Sequence, residues 1–337
     1  MTPTFERRRR DVGLIFVAPA LLVLAAVLGY PILRSLTLAF YRVKLSGGAL
    51  QQSWIGLGNF ERLFADDTVR RAALNTAYFS AMEVVLVTAI SLSIAVLLNH
   101  SMGRAGFFRI LLVVPWAIAP VANAVLWKWI LNANYGVLNG LLRSIGLIDQ
   151  YHVWLGTAFS ALNFVLLIDV WKSVPFVALL MLAGLQRVPS ALLRAAFMDG
   201  ASPLQSFVHI TLPTIRSVIA IAVVLQTIWS LRVFDLVFVL TRGGPADATV
   251  LLNFLAYRVT FNFLDLGYGS AIASVIFLLT MVLALIYVWM LWPRPTNVTA
   301  HKQLPILAPA AHPAQSMAAE MVSVDAQGPD QAVETVG

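Results

Sequence analysis

Six blocks of apolar residues recur along the chain, separated by shorter polar connections. The hydrocarbon core of a bilayer is about 30 Å thick and is crossed by roughly 20 residues of helix, because each residue rises about 1.5 Å. We therefore predict six transmembrane helices, over residues 12–36, 73–98, 110–131, 159–185, 218–240 and 271–291. Arg7 to Arg10 precede the first block, but its length and the lack of a small-residue cleavage site favour an uncleaved first span. The pattern predicts an all-α, polytopic membrane protein.

The composition agrees with a membrane environment. Of the 337 residues, 59% are hydrophobic and 12% are charged, and the mean hydropathy is +0.82. Soluble domains average about 45–50% apolar and about 25% charged residues. The absence of cysteine excludes disulfides, thiolate metal sites, cysteine nucleophiles and a lipoprotein anchor. The net charge of +7 comes largely from arginines beside the apolar blocks, which is typical of a cytoplasmic membrane face and not of a nucleic-acid groove.

Basic residues in the connections predict the orientation of the chain. Short connections rich in Lys and Arg stay on the cytoplasmic side, and here they precede the first block and follow the second, fourth and sixth. Both termini are therefore expected in the cytoplasm. We divide the chain into a basic cytoplasmic segment at 1–11, a membrane domain at 12–292 and a cytoplasmic tail at 293–337. The tail is rich in Pro, Ala, Gln and Val without a helical period, so we expect it to be disordered.

The connection between the fourth and fifth blocks, residues 189–213, carries more structural signals than a linker needs. Pro189 can open a helix of about ten residues, and Gly200 can close it through a left-handed cap. Ser202 and Pro203 repeat the start signal for another short helical turn, and Pro213 is expected to open the fifth span. Helices this short are marginal in water, so we expect another protein to pack on them.

This connection also carries a family motif. Its residues Arg194-Ala195-Ala196, Gly200, Ile210, Leu212 and Pro213 match the spacing of the Glu-Ala-Ala loop of binding-protein-dependent ABC importers. The chain resembles the permease subunits of that family, which includes the maltose permeases, over about residues 12–292. Three further motifs lie in the family's usual places: Trp171-Lys172-Ser173-Val174-Pro175-Phe176, Thr241-Arg242-Gly243-Gly244-Pro245 and Gly267-Tyr268-Gly269-Ser270-Ala271.

The resemblance implies that residues 189–213, called the coupling segment below, form a helix that docks in a cleft of a cytoplasmic ATPase. The residues it assigns to this contact are Arg194, Ala195, Ala196, Asp199, Gly200, Ala201, Ile210 and Pro213. Arg194 replaces the family's usual glutamate, so the usual ion pair with an ATPase arginine cannot form. Docking is then expected to use Asp199 or an acidic residue of the partner.

The resemblance also implies an assembly. None of the four lysines, Lys44, Lys128, Lys172 and Lys302, lies in the phosphate-binding pattern G-x-x-x-x-G-K-[ST], so ATP is expected on another chain and no cofactor on this one. The implied partners are a second permease subunit, as a heterodimer, two ATP-binding subunits, an extracytoplasmic solute-binding protein and membrane lipid. No nucleic acid is expected. The implied location is the bacterial cytoplasmic (inner) membrane.

Charged residues inside the predicted spans indicate a transport pathway, because such groups are costly in lipid and usually face a cavity or a partner. Asp169 with Lys172, and Arg232 with Asp235, are each three residues apart, which puts both members on one helix face. Each pair could instead only hold helices together. Glu83 and Lys128 have no same-helix partner, and we assign them no role.

Sugars are bound by amides and carboxylates that pair with hydroxyls and by aromatic rings that stack on the apolar ring face. In maltose-type permeases, residues of three spans hold the sugar at mid-membrane. The positions here that match them, with two neighbours, are Trp116, Pro120, Asn123, Asp169, Lys172, Ser173, Gln226, Trp229, Ser230 and Arg232. The resemblance thus implies import of a di- or oligosaccharide, and a sugar phosphate such as glycerol 3-phosphate is the alternative because Lys172 and Arg232 suit a phosphate.

Two other classes fit the residues less well. An ion-coupled secondary transporter would also show embedded charge pairs, but it has no need of a structured connection at 189–213. An intramembrane enzyme would need a metal or nucleophile constellation, and the five histidines are scattered and mostly outside the spans. We therefore expect no catalytic residues and no metal site.

Overall fold

The computed structural model of the chain describes residue 12 and residues 16–46, 49–100 and 105–291. The predicted basic segment at 1–11 and the predicted tail at 293–337 lie outside the described residues. In chain order the helices are α1 (Phe16–Leu38), α2 (Gly58–Ala65), α3 (Asp67–His100), α4 (Ala105–Ala117), α5 (Pro120–Ile130), α6 (Val137–Ser144), α7 (Ala158–Leu185), α8 (Ser190–Met198), α9 (Pro203–Ser230), α10 (Leu252–Tyr257) and α11 (Leu266–Leu291).

Five helices are each long and apolar enough to cross a membrane, and the pair α4 and α5 brings the number to six if it is counted as one bent span. The prediction of an all-α membrane protein with six spans is confirmed on that reading. Two of the predicted spans, however, have the wrong shape or the wrong limits.

The third predicted span, 110–131, is not one continuous helix. The chain bends by 96° between α4 and α5. Pro120 is the first residue of α5 and has no N–H to continue the ladder of α4, and Ala119 before it adopts an extended conformation with ψ 141°. The apolar composition runs through the bend, which is why hydropathy alone predicts a single helix.

The fifth predicted span, 218–240, is displaced. Helix α9 begins at Pro203 and ends at Ser230, with a π-helical segment at Phe207–Thr211. A capping box starts it: the Gln205 N–H donates to Ser202 Oγ at 3.3 Å and the Ser202 N–H donates to Gln205 Oε1 at 2.8 Å. Pro213 therefore lies inside a helix already under way and does not open the span.

The early end of α9 also overturns one predicted pair. Residues 231–234 are not helical, so Arg232 and Asp235 do not share a helix face. Asp235 instead lies at the start of a short helical stretch that continues as a π-helical turn, Val237–Thr241.

A β-hairpin that the sequence reading did not predict closes one end of the helical bundle. Strands β1 (Tyr41–Ser46) and β2 (Ala49–Trp54) are antiparallel, with Tyr41 opposite Trp54. The buried Asn59 of α2 ties the hairpin to α1, because its Nδ2 donates to the carbonyl oxygens of Ala39 and Tyr41 at 2.8 and 2.9 Å. Helix α11 starts against β1 so closely that a Cβ on Gly267 would overlap the Tyr41 carbonyl oxygen. We call this the hairpin end, and α8 lies at the opposite end.

Helices α3, α7 and α9 pack against one another along the centre of the bundle. Phe79, Val165 and Met181 are fully buried there. The same core completely buries several polar side chains, and two of them are Glu83 of α3 and Gln226 of α9. A polar group without water must find partners inside the protein, so these two residues bear on the adjoining site.

Candidate functional site

A cavity of about 260 Å³ lies beside this core. Its walls come from the bend between α4 and α5, from the middle of α7, and from the end of α9 with the segment after it. The lining residues are Trp116, Pro120, Asn123, Asp169, Lys172, Ser173, Trp229, Arg232, Val233, Phe234, Asp235 and Leu236. Eight of these were predicted from the sequence as cargo-binding positions.

The bend in the third span forms one wall. Trp116 precedes the bend, whereas Pro120 and Asn123 follow it, so the 96° turn brings all three to the same cavity. Asn123 is 2% exposed, and its Oδ1 has no hydrogen-bond partner among the described residues. The cavity thus holds an amide oxygen that is free to accept a hydrogen bond.

Helix α7 provides the polar wall. Asp169, Lys172 and Ser173 occupy one face of this helix, as their spacing predicts, and all three line the cavity. Thr157 caps the helix, accepting from the Ser160 N–H at 3.2 Å. Because α7 is held in the core on both sides of these residues, their backbone positions are fixed.

Aromatic rings join the three walls. Trp116 stacks on Phe176 with ring centroids 5.4 Å apart, and Phe176 meets Trp229 at 5.3 Å with the planes inclined at 61°. Phe176 was part of a recognised motif but was not predicted as a site residue. Val233, Phe234 and Leu236 were also missed, because the predicted helix through 240 gave no reason to place them at a cavity. Trp116 and Trp229 keep 45% and 38% of their surfaces exposed at the mouth.

Two predicted binding residues lie behind the wall and do not line the cavity. Gln226 is fully buried, and its Nε2 donates to Oε1 of Glu83. Ser230 is 1% exposed, and its hydroxyl donates to the carbonyl oxygen of Thr227 at 3.0 Å. The expected helical period puts both on the inward side of α9, but that side faces the core.

The cavity lining carries two acidic and two basic side chains, Asp169, Asp235, Lys172 and Arg232. Within the described ranges, no ion pair of 4.0 Å or less joins any two of them. The charges are therefore balanced in number, and none of them is taken up by an ion pair with another lining residue. Among the same described residues, no group of three His, Asp or Glu side chains is close enough together to hold a metal ion.

A second polar cluster, the hairpin-end cluster, borders a cavity of about 550 Å³. Arg62 binds Asp265 at 2.8 Å and lies over the ring of Tyr268, 3.9 Å from its centroid. The Tyr268 hydroxyl donates to Asp66 at 2.8 Å. Arg258 binds Asp247 through two hydrogen bonds of 2.6 and 3.3 Å. Every carboxylate of this cluster is thus paired.

These contacts shift two of its carboxyl groups. The hydrogen bond from Arg258 holds the pKa of Asp247 below its ordinary value against the opposing effect of partial burial, and the charge of Arg258 adds to the shift. Burial acts to raise the pKa of Asp66, but hydrogen bonds from Tyr268 and Thr68 outweigh it and the pKa lies below its ordinary value. Both groups are therefore stabilised as carboxylates.

The coupling segment lies at the end opposite to the hairpin. It contains α8, whose nine residues confirm the predicted helix of about ten, with Pro189 at its N-cap. Gly200 has φ +78°, and the Ala201 N–H donates to the Ala196 carbonyl oxygen at 2.9 Å, so the predicted left-handed cap is confirmed. Ile210 and Pro213 belong to the first turns of α9.

The surface of α8 is unusually apolar for a helix outside the core. Phe197 and Met198 are 78% and 82% exposed, whereas Ala196 is buried. Arg194 is exposed like Ala195 and Asp199, and its guanidinium donates to Ser190 Oγ at 2.9 Å. This face offers both apolar surface and hydrogen-bonding groups to a partner.

Comparison with known sequences identifies the family. The profile of the family described as "binding-protein-dependent transport system inner membrane component" matches residues 86–292. This chain belongs to that family. The permease is thus an inner membrane component of a transport system, and its family is one of transport permeases and not of catalytic enzymes.

Two relatives and one solved structure show how far the similarity extends. The permease is 34% identical to the trehalose/maltose transport system permease protein of Thermococcus litoralis, over 85% of this chain and 96% of that protein. It is 32% identical to the lactose transport system permease protein of Rhizobium radiobacter, over 82% of this chain and 93% of that one. A bacterial alginate ABC transporter, solved with an alginate pentasaccharide-bound periplasmic protein, matches with a TM-score of 0.71 and 22% identity, over 85% of this chain and 96% of that chain. The last likeness shows a shared fold.

Proposed function

We propose that this permease moves a sugar, of di- or oligosaccharide size, across the inner membrane, and that a separate ATPase drives it through the coupling segment. The observation that carries the proposal is the cavity at the bend of the third span, where aromatic rings and unpaired polar groups meet. Non-helical backbone at membrane depth occurs where it lines a cavity, and transporter sites typically lie at such broken helices. The named cargoes of the two relatives are sugars, which supports the same class here.

The lining groups suit an uncharged sugar. Asn123 offers an amide, Asp169 a carboxylate and Ser173 a hydroxyl, and each can pair with a sugar hydroxyl. Trp116 and Trp229 offer exposed ring faces for the apolar side of a pyranose. A sugar phosphate is less favoured, because the two cations that would bind it share the cavity with two carboxylates.

The proposed assembly contains a second permease subunit, two ATP-binding subunits and an extracytoplasmic solute-binding protein. The exposed Phe197 and Met198 of α8 support docking against an ATPase, since exposed apolar side chains on a short helix favour a protein partner. The open cavity mouth beside Trp116 supports closure by a second permease. Both termini and α8 then lie in the cytoplasm, and the hairpin end meets the binding protein.

The proposed mechanism is alternating access. ATP closes the motor dimer, α8 moves with it, and the spans tilt so that the cavity opens outward; hydrolysis restores the inward state. Helix α9 suits the transmission of this movement, because it runs from the Gly200 corner to Trp229 at the cavity, about 40 Å at 1.5 Å per residue. The π-helical segment at Phe207–Thr211 leaves the helix unbroken along this length.

The cargo is tested with the complete transporter, reconstituted in lipid vesicles with its solute-binding protein and ATPase. A panel of neutral disaccharides, oligosaccharides and sugar phosphates is assayed for stimulation of ATP hydrolysis and for uptake. Stimulation by a neutral sugar supports the proposal. Stimulation by phosphorylated sugars alone, or uptake that survives ATP depletion and collapses with the proton gradient, would contradict it.

The coupling step is tested by Gly200→Val. A Cβ at Gly200 would meet no atom within 4 Å, so the substitution affects the corner through its φ of +78° and not through crowding. A left-handed residue other than glycine costs roughly 1–2 kcal/mol. We expect cargo-stimulated ATP hydrolysis to fall about fivefold or more in an assembled complex.

Gly29→Val is the matched control for this test. Gly29 lies in α1, its Cβ position is equally open, and its φ is −64°. It should leave stimulation close to the native level. Undiminished stimulation in the Gly200 variant, with intact assembly, would remove the support for coupling through this corner.

A further inference from the structure

Glu83 is a buried acidic residue beside the cargo cavity to which the proposed mechanism gives no role. Its side chain is 0% exposed, and it lies where α3 meets α7 and α9. Asp169 of α7 interacts with it electrostatically, and Gln226 of α9 donates to it. Glu83 is therefore a shared neighbour of a cavity-lining carboxylate and of the helix that carries Trp229.

The two oxygens of Glu83 have different surroundings. Oε1 accepts the hydrogen bond from Gln226 Nε2. Oε2 is buried and has no hydrogen-bond partner among the described residues. No described Lys or Arg lies within ion-pair distance of Glu83, and the nearby cation Lys172 acts on Asp169. The other polar neighbour of Glu83 is therefore another carboxyl, that of Asp169.

This arrangement disfavours a charge on Glu83. A buried carboxylate without a cation costs several kcal/mol, and two adjacent carboxylates repel each other. A proton on Oε2 removes both costs, because it neutralises the group and turns an unsatisfied acceptor into a donor. Buried carboxylic acids that stay neutral so that they can donate a hydrogen bond are known in proteins.

We propose that Glu83 is a neutral carboxylic acid in the folded permease and acts as a positioning residue, donating from Oε2 to Asp169 while it accepts from Gln226. This rests on the proposed function, because it assigns Glu83 to the sugar site. The hydrogen bond fixes the orientation of Asp169 toward the cavity. It also connects α7 to α9 through α3.

The protonation of Glu83 determines the net charge of the cavity in which the cargo binds. The formal charges of the lining residues Asp169, Asp235, Lys172 and Arg232 sum to zero. An ionised Glu83 would add one negative charge behind Asp169 that nothing nearby balances. With Glu83 neutral, the site has no net charge and matches an uncharged sugar.

Infrared spectroscopy tests the proton directly on the purified complex at neutral pH. A protonated carboxyl has a carbonyl stretch apart from those of carboxylates and amides. The native spectrum minus that of Glu83→Gln should contain this carboxylic acid band. A difference spectrum that shows the loss of carboxylate bands instead would overturn the proposal.

Transport assays test the positioning role. Glu83→Ala should weaken the apparent affinity for the stimulating sugar about tenfold, with a smaller effect on the maximal rate, because Asp169 and Gln226 both lose a partner. Glu83→Gln should recover most of this loss, since its amide is neutral and can both accept from Gln226 and donate to Asp169. Equal damage from Gln and Ala, in complexes that assemble normally, would overturn the role.

Ser93→Ala is a matched control on the same helix, because the Ser93 hydroxyl is exposed and donates only to Ala89 within α3 at 2.9 Å. It should leave the affinity unchanged.

The two proposals can fail separately. A missing carboxylic acid band with intact sugar stimulation would refute the proton on Glu83 alone, whereas the band without any response to sugars would refute the proposed cargo alone.

Discussion

The central cavity and the hairpin-end cluster both concentrate charged residues, but they treat those charges in opposite ways. In the hairpin-end cluster, Arg62 and Arg258 bind Asp265 and Asp247 at 2.8 and 2.6 Å. In the cavity, the polar atoms of Asp169 and Lys172 lie on one helix face without an ion pair of 4.0 Å or less in the described chain. One cluster pairs its opposite charges within the chain, whereas the lining residues of the other form no ion pair with one another, as the proposed binding of a cargo requires.

The difference between the two clusters suggests that the paired charges serve stability and that the charges in the cavity serve function. Charges with partners contribute to folding, whereas charges left open in a cavity reduce stability and are retained for binding. If this distinction holds, substitutions in the two clusters should affect different measurements. Three experiments test this distinction, and they are given in order of decreasing expected effect.

The largest effect is expected from Asp169→Asn. The change removes a charged acceptor for sugar hydroxyls and weakens the link to Glu83, so we expect the apparent affinity for the sugar to fall roughly 10- to 100-fold. Cargo-stimulated ATP hydrolysis and uptake measure this. The thermal denaturation midpoint of the complex should change little.

The control is Asp67→Asn, which alters a carboxylate that is 75% exposed and pairs with Arg70 at 2.9 Å. It should affect neither the affinity nor the denaturation midpoint, because exposed ion pairs contribute about 0–1 kcal/mol. An Asp169 variant that unfolds more readily yet binds sugar normally would show that this cavity residue serves stability and not binding.

An intermediate effect is expected from Asp265→Ala in the hairpin-end cluster. Its carboxylate is 8% exposed, binds Arg62 and accepts from the Tyr268 N–H at 3.3 Å. Removing it leaves both donors with fewer partners and should lower the free energy of unfolding by about 2 kcal/mol, after allowance for the exposed Arg62. Thermal denaturation measures the loss, and the ranking of sugars in the stimulation assay should stay the same. A changed ranking would show that this cluster also takes part in cargo selection.

The smallest effect concerns pH and Asp247. Its pKa is lowered by Arg258 in the folded protein, so the ion pair stabilises the fold fully above the unfolded pKa of about 4. This stability is lost as the pH falls from that value through the lowered folded pKa. Because Asp247 is 47% exposed, we expect less than about 1 kcal/mol.

Denaturation midpoints of the native complex between neutral pH and the lowest tolerated pH measure this contribution. In Asp247→Asn the acid-dependent decrease should be smaller by the same amount. Identical pH profiles for the two proteins would mean that the pair contributes nothing measurable.

Hydropathy predicts the number of spans well, because a bilayer imposes the same length and apolarity on each. It predicts their limits poorly where a helix extends into polar sequence, as α9 does from Pro203, since only the capping box of Ser202 and Gln205 marks that start. The bend between α4 and α5 has a local signal in Pro120, but apolar residues on both sides conceal it. The β-hairpin also has a local signal that was overlooked, the Gly47-Gly48 pair between two runs of six residues.

The site could be predicted in part. Asp169 and Lys172 follow from helical spacing as a charge pair, and Trp116 and Ser173 follow from the resemblance, with Asn123 as a neighbour of the matched positions. The buried positions of Gln226 and Ser230 could not be deduced, because the direction in which a helix face points depends on its neighbours. Glu83 was recognised as an embedded charge, but its contacts with α7 and α9 are tertiary.

The open mouth of the cavity, where Trp116 and Trp229 keep 45% and 38% of their surfaces uncovered, has an evolutionary consequence. If the proposed second permease is a different gene product and forms the missing wall, two genes encode the chemistry that selects a nutrient. A change of transported sugar then requires matched substitutions in both permease genes. The two genes should therefore be inherited, and exchanged between genomes, as a unit.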